Sequence, residues 1–417
     1  MKKPILAFFI MAMPVVLRAQ EASTDTARGI TLPEAYRLSL AKSETLAQSV
    51  EGVQGLEAAE HQIRSLFFPS LNGFATESAA EKSKGTGQAG ISVNYALFSG
   101  MRDYITARSS NLKTNAAKLD LARAKQALYL NVVQAYINLT TVRQEIKVRT
   151  DQLAISDNLI KELQDRESVG RSRKGEVVAA QAQRAQDNSA LQDAKGREDF
   201  AQVQLGFLTG LDEDLAPELL PVSEHQSRAS YFLRAQNRFD VEAARKTLEA
   251  AQLDADVQEH LRWPTVSAEG DYYATRSEPN QDIKWDAGVN LSLPLYTGGF
   301  ISASVDQAKA NARSAELGLA LVIRQAHSDV KGAFSVLHHS VDTLNSLRDA
   351  VGLAKENVNI QNRDYVRTLV TNLDVLTAQN TLLQSRLGAE QARAQATLAG
   401  FQLEVAAGGP ESITEEK

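Results

Sequence analysis

The sequence predicts a mainly α protein with a transmembrane β-barrel portion: a long α-helical coiled-coil part and four β-strands per chain, arranged as two tandem structural repeats. Three observations predict this fold class. The chain matches itself at a constant spacing, its helical segments are too long for a compact domain, and four short segments alternate between apolar and polar residues. Of its 417 residues 43% are hydrophobic but only 6% aromatic, which leaves few rings for a large globular core.

Charge and cysteine content exclude several classes of function. Lys and Arg together number 45, Asp and Glu number 51, and the net charge is −6. We expect no nucleic-acid partner, because sequence-independent binding to nucleic acids depends on clustered positive charge. The absence of cysteine excludes disulfide bonds, thiolate metal sites and cysteine nucleophiles.

Residues 1–19 have the pattern of a secretory signal peptide. Lys2 and Lys3 precede an apolar run over residues 5–17, and the small residue Ala19 follows. The run is too short to span a bilayer as a helix, and a buried N-terminal helix is the alternative. No later apolar stretch is long enough for a transmembrane helix, and no cysteine is available for a lipid anchor.

The repeat defines the organisation of the chain. Residues 90–100 match residues 288–298, an offset of 198 positions (288 − 90), and upstream of these segments Pro69 and Pro264 match at an offset of 195 (264 − 69). We therefore predict a first unit over residues 20–210, a connector over 211–228, a second unit over 229–408 and a flexible tail over 409–417. The change of offset falls in polar, glycine-containing stretches, where insertions are tolerated.

Each unit is predicted to contain the same helices. The first helix covers 31–66 in one unit and 230–261 in the other, with Thr31 and Ser230 as N-caps. The long helices cover 100–169 and 299–367, and the returning helices cover 176–208 and 374–405. The two shorter helices of a unit, stacked end to end, match the length of the long one. This favours coiled-coil packing over an ordinary helical bundle.

Four segments are predicted to be strands. Residues 91–97, 266–272 and 285–293 alternate in polarity, whereas 71–78 alternate poorly because of Phe74. Their length suits tilted transmembrane strands. Aromatic residues would form an interfacial girdle at one end of these strands. These are Phe67, Phe68, Phe98, Trp263 and Tyr296. A soluble β-sandwich face is the alternative, although the insertion of each strand pair between very long helices argues against it.

Four strands cannot close a barrel, so several chains must contribute to one. Two chains would give eight strands and three would give twelve. The alternation assigns one set of side chains to the barrel lumen, namely Asn94, Glu269, Asp271, Asp286 and Asn290. It assigns a second set to the lipid, namely Val93, Tyr95, Val289, Leu291 and Leu293.

Several motifs together resemble those of the TolC family of outer-membrane efflux channels. They are the two-fold repeat, the Pro residues that begin the strands, the segments 97–100 and 295–298 that end them, and the turns around Gly170 and Val366. The resemblance implies a homotrimer with a 12-stranded barrel and a long periplasmic α-barrel, located in the outer membrane of a Gram-negative bacterium. It also implies an exit duct of a tripartite efflux or type I secretion system, served by a periplasmic adaptor protein and an inner-membrane transporter.

The resemblance also assigns roles at the two helical turns. Tyr365 and Glu176 match a tyrosine and a carboxylate that hold the periplasmic end closed, and Asp374 matches an aspartate that lines the inner constriction. Thr377 stands where some members carry a second aspartate, and Asp374 as a simple helix cap is the alternative. Contact with the adaptor is implied for residues at the turns, namely Arg166, Gly170, Arg171, Arg173, Lys174, Arg367 and Leu369.

Enzymatic interpretations have weak support. Residues 85–90 match the dinucleotide glycine pattern, but that pattern requires a preceding strand and a following helix, whereas here a strand follows. We interpret these glycines as a loop between strands. The six histidines show no zinc-binding spacing with carboxylates. We therefore predict neither an enzyme nor a cofactor. A periplasmic adaptor or a coiled-coil scaffold is the alternative function, although neither requires two copies of amphipathic strands.

Overall fold

Long helical hairpins and one four-stranded sheet form the structure, a computed structural model that describes residues 28–79, 81, 85–222, 227–278 and 280–409. The predicted signal peptide and all of the predicted tail except Gly409 lie outside these residues. The helices are α1 (Leu32–Lys42), α2 (Glu44–Ser65), α3 (Arg102–Ser168), α4 (Lys174–Thr209), α5 (Arg228–Ala235), α6 (Phe239–Glu259), α7 (Phe300–Val366) and α8 (Asn372–Ala406). The strands are β1 (Arg28–Ile30), β2 (Ser70–Ser78), β3 (Thr86–Phe98), β4 (Leu215–Pro217), β5 (Thr265–Arg276) and β6 (Trp285–Ser292).

The structure confirms the two-fold repeat. Helices α3 and α7 each contain 67 residues, and their first residues are 198 positions apart (300 − 102). The two strand hairpins also share one register, since Ser70 pairs with Asn94 in the first and Thr265 pairs with Ser292 in the second. The same local sequence pattern has therefore produced the same supersecondary unit twice.

The predicted first helix of each unit is wrong in one respect, because each is divided into two helices. Ser43 separates α1 from α2, and its hydroxyl accepts a hydrogen bond from the Leu46 amide at 3.2 Å. Thr31 caps α1 as predicted, accepting from the Glu34 amide at 3.4 Å. Ser230 is not an N-cap: it lies inside α5 and donates to the Ser227 carbonyl at 2.8 Å.

At each position along the helix direction, four elements lie side by side. Near the sheet the helices lie in the order α2-α3-α6-α7, and farther away α4 and α8 replace α2 and α6 beside the same long helices. The sheet has the matching order β2-β3-β5-β6. One side of the chain thus ends in β2, α2 and α4, and the other side ends in β6 and α7. Small buried residues such as Ala194, Ala201 and Ala396 permit the close helix packing. No helix in the described ranges has a stretch long and apolar enough to cross a bilayer.

A two-stranded parallel sheet of β1 and β4 was not predicted, and β4 lies within the predicted connector. The buried Tyr136 of α3 joins β1 and the residue after β4 to the helices. Its hydroxyl donates to the Ile30 carbonyl at 2.9 Å and accepts from the Glu218 amide at 2.7 Å. The sheet therefore fastens the N-terminal end of the described chain and the connector to the middle of the helical part.

Replacing Tyr136 with phenylalanine is expected to loosen this junction. The change leaves a buried carbonyl and an amide without their partner, which costs about 1–3 kcal/mol. Hydrogen exchange should become faster in the amides of residues 28–30, Leu215, Ala216 and Glu218 and stay unchanged in the turn between α7 and α8. Unchanged exchange in the β1–β4 sheet would show that the hydroxyl does not stabilise it.

The four-stranded sheet has one polar and one apolar face. Cross-strand partners share a face and successive residues alternate, so the register assigns each residue. The polar face carries Ser70, Asn72, Phe74, Thr76, Ser92, Asn94, Thr265, Ser267, Glu269, Asp271, Tyr273, Asp286, Gly288, Asn290 and Ser292. The apolar face carries Leu71, Gly73, Ala75, Ile91, Val93, Tyr95, Val266, Ala268, Gly270, Tyr272, Trp285, Ala287, Val289 and Leu291.

The predicted glycine loop over residues 85–90 is wrong, because β3 already begins at Thr86. Gly90 lies in the strand for a steric reason. A Cβ atom at this position would lie 2.1 Å from the carbonyl oxygen of Tyr272 and 3.1 Å from the ring of Phe74. The glycine thus permits a close approach between neighbouring strands.

Candidate functional site

The candidate site lies at the ends of the two long helical hairpins, in the turns over residues 169–173 and 367–371. The two turns have the same backbone geometry. The Arg171 amide bonds the Arg166 carbonyl at 2.8 Å, and the Leu369 amide bonds the Asp364 carbonyl at 2.9 Å. Each is a Schellman-type helix end that requires one residue in the left-handed region.

That left-handed position differs between the turns. It is occupied by Gly170, with φ of 75°, in the first turn and by Thr368, with φ of 59°, in the second. A β-branched residue is strained in this region, whereas glycine is not. The second turn is therefore the less stable of two otherwise equivalent helix ends.

Replacing Thr368 with glycine is expected to stabilise the second turn by about 1 kcal/mol, because the left-handed conformation disfavours a Cβ atom. Hydrogen exchange of the Leu369 amide should become slower. The matched change Gly170→Thr should make exchange of the Arg171 amide faster. Equal exchange in both variants and the wild type would show that the turns carry no such strain.

A hydrogen bond joins the two turns. The Tyr365 hydroxyl donates to Oε2 of Glu176 at 3.4 Å, and the Ser172 hydroxyl donates to the same oxygen at 2.7 Å. The guanidinium of Arg166 lies 4.8 Å from the centroid of the Tyr365 ring. The Tyr365 contact is long for an O–H···O bond, so the shorter Ser172 bond holds the carboxylate more firmly. Burial and the nearby Glu176 charge raise the pKa of Tyr365, which therefore remains a donor at neutral pH.

Apolar packing supports this contact. Leu159, Leu163, Val177 and Ala180 form a buried cluster between α3 and α4, and Tyr365 packs against it from α7. The two hairpins are thus connected by the Tyr365–Glu176 hydrogen bond and by apolar packing of the Tyr365 ring.

Asn372 adds a second polar link between the turns. It is 2% exposed, and its Nδ2 donates to the Glu176 carbonyl at 3.5 Å. Its Oδ1 has no partner within the described part of the chain. A buried amide that is only partly paired stabilises the contact between the two hairpins less than a satisfied one would.

Asp374 caps α8. Its Oδ2 accepts from the Thr371 hydroxyl at 2.7 Å and from the Thr371 amide at 2.8 Å, which completes a capping box. These bonds, the hydroxyl bond first, lower the pKa of the Asp374 carboxyl. The side chain is exposed, so it can cap the helix and also present charge to solvent. Thr377, one turn later, donates to the Leu373 carbonyl at 2.7 Å.

The structure separates the residues assigned to adaptor contact into two groups. Those exposed at the turns are Gly170, Arg171, Arg173, Lys174, Arg367 and Leu369. Arg166 is instead engaged within the chain, where it pairs with Glu162 at 2.7 Å and covers the Tyr365 ring. Sequence reasoning did not find the parts played by Ser172 and Asn372. The spacing of Ser172 four residues before Glu176 was the available signal.

The strand residues assigned to a lumen lie together. Asn94 pairs with Glu269, and Asp271 pairs with Asp286, while Asn290 lies on the same polar face. Val93, Tyr95, Val289 and Leu291 lie on the apolar face, and Leu293 follows the end of β6. In the described ranges no cluster of three or more His, Asp or Glu side chains could hold a metal ion.

Comparison with known proteins agrees with this geometry. The pattern of the family described as "Outer membrane efflux protein" matches residues 35–211 and 233–409. The chain is similar to outer membrane efflux protein BepC of Brucella suis, with 24% identity over 416 residues, covering 96% of this chain and 89% of BepC. It is similar to protein CyaE of Bordetella pertussis, with 26% identity, covering 78% and 74% of the two chains. The crystal structure of CusC shares the fold, with a TM-score of 0.83 and 16% identity over 91% and 92% of the two chains.

Paired helical hairpins that continue into an amphipathic sheet define the chain as a channel protein of the outer membrane. The two family matches cover most of the sequence and coincide with its two repeats. The chain belongs to the outer membrane efflux protein family and is a TolC-like efflux channel.

Proposed function

We propose that three copies of the chain form one channel and serve as the exit duct of a tripartite efflux or type I secretion system. The observation that supports this most directly is the sheet, which has edges at β2 and β6 with no further strand against them in the described ranges. An open edge in lipid leaves backbone groups without hydrogen-bond partners. Three copies supply twelve strands, which close a barrel wide enough for a lumen.

The internal repeat predicts how neighbouring copies pair. Strand β3 pairs with β5 inside the chain. In the repeat, β6 is equivalent to β3 and β2 is equivalent to β5, so β6 of one copy should pair with β2 of the next. The pair Ser92–Asp271 then corresponds to Asn290 of one copy opposite Thr76 of the next (92 + 198 and 271 − 195). The contact is head-to-tail, and identical contacts of this kind form a ring when the rotation between copies closes after three of them.

Three properties of the sheet support its placement in a membrane. One face is apolar and the other polar, the strands contain 8 to 13 residues, and aromatic residues flank them. A 12-stranded barrel with the apolar face outward would meet lipid on one side and water on the other. The helices would then extend into the periplasm, with the two turns at the far end.

We assign to these turns a gate, formed in each copy by Tyr365, Glu176 and Asp374. The hydrogen bond between Tyr365 and Glu176 would hold the hairpins together in the closed state. Three copies of Asp374 around one axis would place carboxylates at the narrowest point. The exposed basic and apolar residues of the turns would provide the surface for a periplasmic adaptor and, through it, an inner-membrane transporter.

Replacing Tyr365 with phenylalanine is expected to raise the resting conductance of the channel. The change removes the hydroxyl but keeps the ring that packs against the buried cluster between α3 and α4. The effect should be moderate, because Asn372 still donates to the Glu176 carbonyl from the other hairpin. Planar-bilayer recording of Tyr365→Phe and of Glu176→Gln tests this, with Ser168→Ala, at the end of α3, as a control. Wild-type conductance in both variants would exclude the pair as a gate.

The adaptor surface is tested by co-purification. Replacing Arg171 and Leu369 with glutamate should reduce recovery of the native adaptor with the channel while trimer formation stays unchanged. Unchanged recovery would place the adaptor elsewhere.

For residues 1–19 we propose removal as a signal peptide, which N-terminal sequencing of the protein from outer membranes can test.

A further inference from the structure

A compact cluster of side chains occupies the polar face of the sheet near the end opposite the helices. The Tyr273 hydroxyl donates to Oδ2 of Asp286 at 3.0 Å, and Arg276 bonds the same oxygen at 3.4 Å. The Arg276 guanidinium also lies 4.0 Å from the centroid of the Tyr273 ring. Phe74 meets that ring edge-to-face, with the centroids 5.8 Å apart. Tyr273 is only 6% exposed, so its neighbours enclose it on this face.

A β-bulge brings these residues together. Tyr273 and Arg276 are three positions apart and would point to opposite faces in a regular strand. The register between β3 and β5 shifts at Ala89 and Gly90, so that Tyr273 lies opposite Gly90 and Arg276 lies opposite Gln88. The extra residue places both side chains on the polar face, as bulges beside functional sites commonly do.

The close approach of the strands reinforces the arrangement. The missing side chain of Gly90 leaves the space that the Phe74 ring occupies, since an added Cβ would lie 3.1 Å from that ring. Four strands thus contribute to one interlocked unit: Phe74 from β2, Gly90 from β3, Tyr273 and Arg276 from β5, and Asp286 from β6. Such mutual contacts fix the side-chain positions.

Charge distinguishes this unit from the rest of the polar face. Glu269, Asp271 and Asp286 are acidic, whereas Arg276 is the basic side chain that the described strand residues present on this face. Asp271 and Asp286 are also directly paired, which concentrates negative charge next to the cluster. The guanidinium is therefore positioned to offset the charge of an acidic wall.

We propose that Phe74, Tyr273, Arg276 and Asp286 form an outer constriction that selects exported solutes by size and charge, separate from the gate at the helical turns. The proposal rests on the proposed function, because the polar face lines a lumen only in the assembled barrel. Three copies would narrow the lumen with a ring of aromatic side chains and three ion pairs. Arg276 would reduce the preference of this ring for cations.

Cysteine labelling from the outside of intact cells tests the constriction independently of the gate. The chain contains no cysteine, so an introduced one is a unique probe. Asn94→Cys places a thiol on the polar face about 14 Å deeper than Phe74, since the partner of Phe74 is Gly90 and a strand rises about 3.4 Å per residue. Asp282→Cys, in the turn between β5 and β6, serves as the reference outside the constriction. The probes are a small charged methanethiosulfonate and a polyethylene-glycol maleimide.

With Asn94→Cys, the small reagent should label the channel and the bulky one should label it much more slowly than it labels Asp282→Cys. Adding Phe74→Ala or Arg276→Ala should remove most of this difference, whereas Tyr272→Ala, adjacent in sequence but on the apolar face, should preserve it. Arg276→Ala should also raise labelling by a cationic methanethiosulfonate relative to an anionic one.

Equal size dependence at Asn94→Cys and Asp282→Cys would exclude a constriction. A size dependence that Phe74→Ala and Arg276→Ala both leave intact would exclude this cluster as its origin. Failure of the proposed function has a different signature: Asn94→Cys would then react with neither reagent from outside, or the protein would not form trimers.

Discussion

Arginine at position 289 is expected to keep the protein out of the outer membrane, whereas arginine at position 290 is expected to be tolerated. Val289 lies on the apolar face and Asn290 on the polar face of the same strand. Arginine on the lipid face near the bilayer midplane costs about 2–4 kcal/mol. A trimeric barrel would carry three such arginines, so the cost would apply three times. Arginine facing a water-filled lumen meets no such cost.

The measurement compares heat-sensitive trimers in outer-membrane fractions of Val289→Arg, Asn290→Arg and the wild type. A second pair on another strand, Val93→Arg and Asn94→Arg, provides the matched control, since Val93 is on the apolar face and Asn94 on the polar one. Equal effects within each pair would mean that the sheet does not separate lipid from water. Reversed effects would mean that the faces are assigned the wrong way round.

Replacing Asp374 with asparagine is expected to remove most of the cation preference of the channel and its block by multivalent cations from the periplasmic side. In a trimer three Asp374 carboxylates would lie in one ring, where bound cations relieve their mutual repulsion. Thr377 one turn later offers no second ring of charge. Planar-bilayer recordings of reversal potential in a salt gradient, with and without a trivalent cation, measure both properties.

The two roles of Asp374, as a helix cap and as a charged ring, can be tested separately. The cap depends on the bond from the Thr371 hydroxyl, whereas the ring depends only on the Asp374 charge. Thr371→Ala removes the hydroxyl that donates to the carboxylate but leaves the ring charge in place. It should therefore weaken the start of α8, visible as faster hydrogen exchange there, without changing selectivity. If Asp374→Asn keeps the wild-type selectivity and block, the residue is a helix cap and not a filter.

The long helices were predictable from sequence because they are long. Helices α3 and α7 agree with the predicted segments to within about two residues at each end, since an uninterrupted run of helix formers specifies the interior strongly. The breaks at Ser43 and between α5 and α6 were not found, because neither contains a Pro or Gly that marks a helix end. At the first break the Ser43 hydroxyl caps α2, which is a local signal. At the second, Arg238 before α6 bonds Asp329 and the Ala406 carbonyl, which lie far along the chain.

The strands, too, were predictable only in part. Alternation placed β2, β3, β5 and β6, but β1 and β4 contain three residues each and carry too little pattern to detect. Glycine content suggested a loop at 85–90, whereas Gly90 is required by the approach of Tyr272 from the neighbouring strand. Phe74 interrupts the alternation of its strand, and its contact with Tyr273 explains its presence on a polar face.

At the helical turns, the family resemblance located the Tyr365–Glu176 pair, which the structure brings into contact. It did not locate Ser172, whose bond to Glu176 lies within one hairpin and spans four positions, or the position of Arg166 over the Tyr365 ring. The Arg166 contact depends on how two distant hairpins lie against each other, which sequence spacing inside one hairpin cannot reveal.

The most direct test of the proposed trimer is a cross-link between the open sheet edges. Thr76→Cys and Asn290→Cys in one chain place thiols on strands β2 and β6, which lie on opposite sides of the sheet within that chain. In the predicted register they are opposite each other across every contact between copies, within the Cα separation that a disulfide requires.

Ala75→Cys with Asn290→Cys is the control, since Ala75 is on the other face. Oxidation should convert the first variant into a covalent trimer that migrates at three times the monomer mass under denaturing conditions, and the control should remain monomeric. A first variant that remains monomeric although inserted in the outer membrane would contradict the twelve-stranded trimeric barrel.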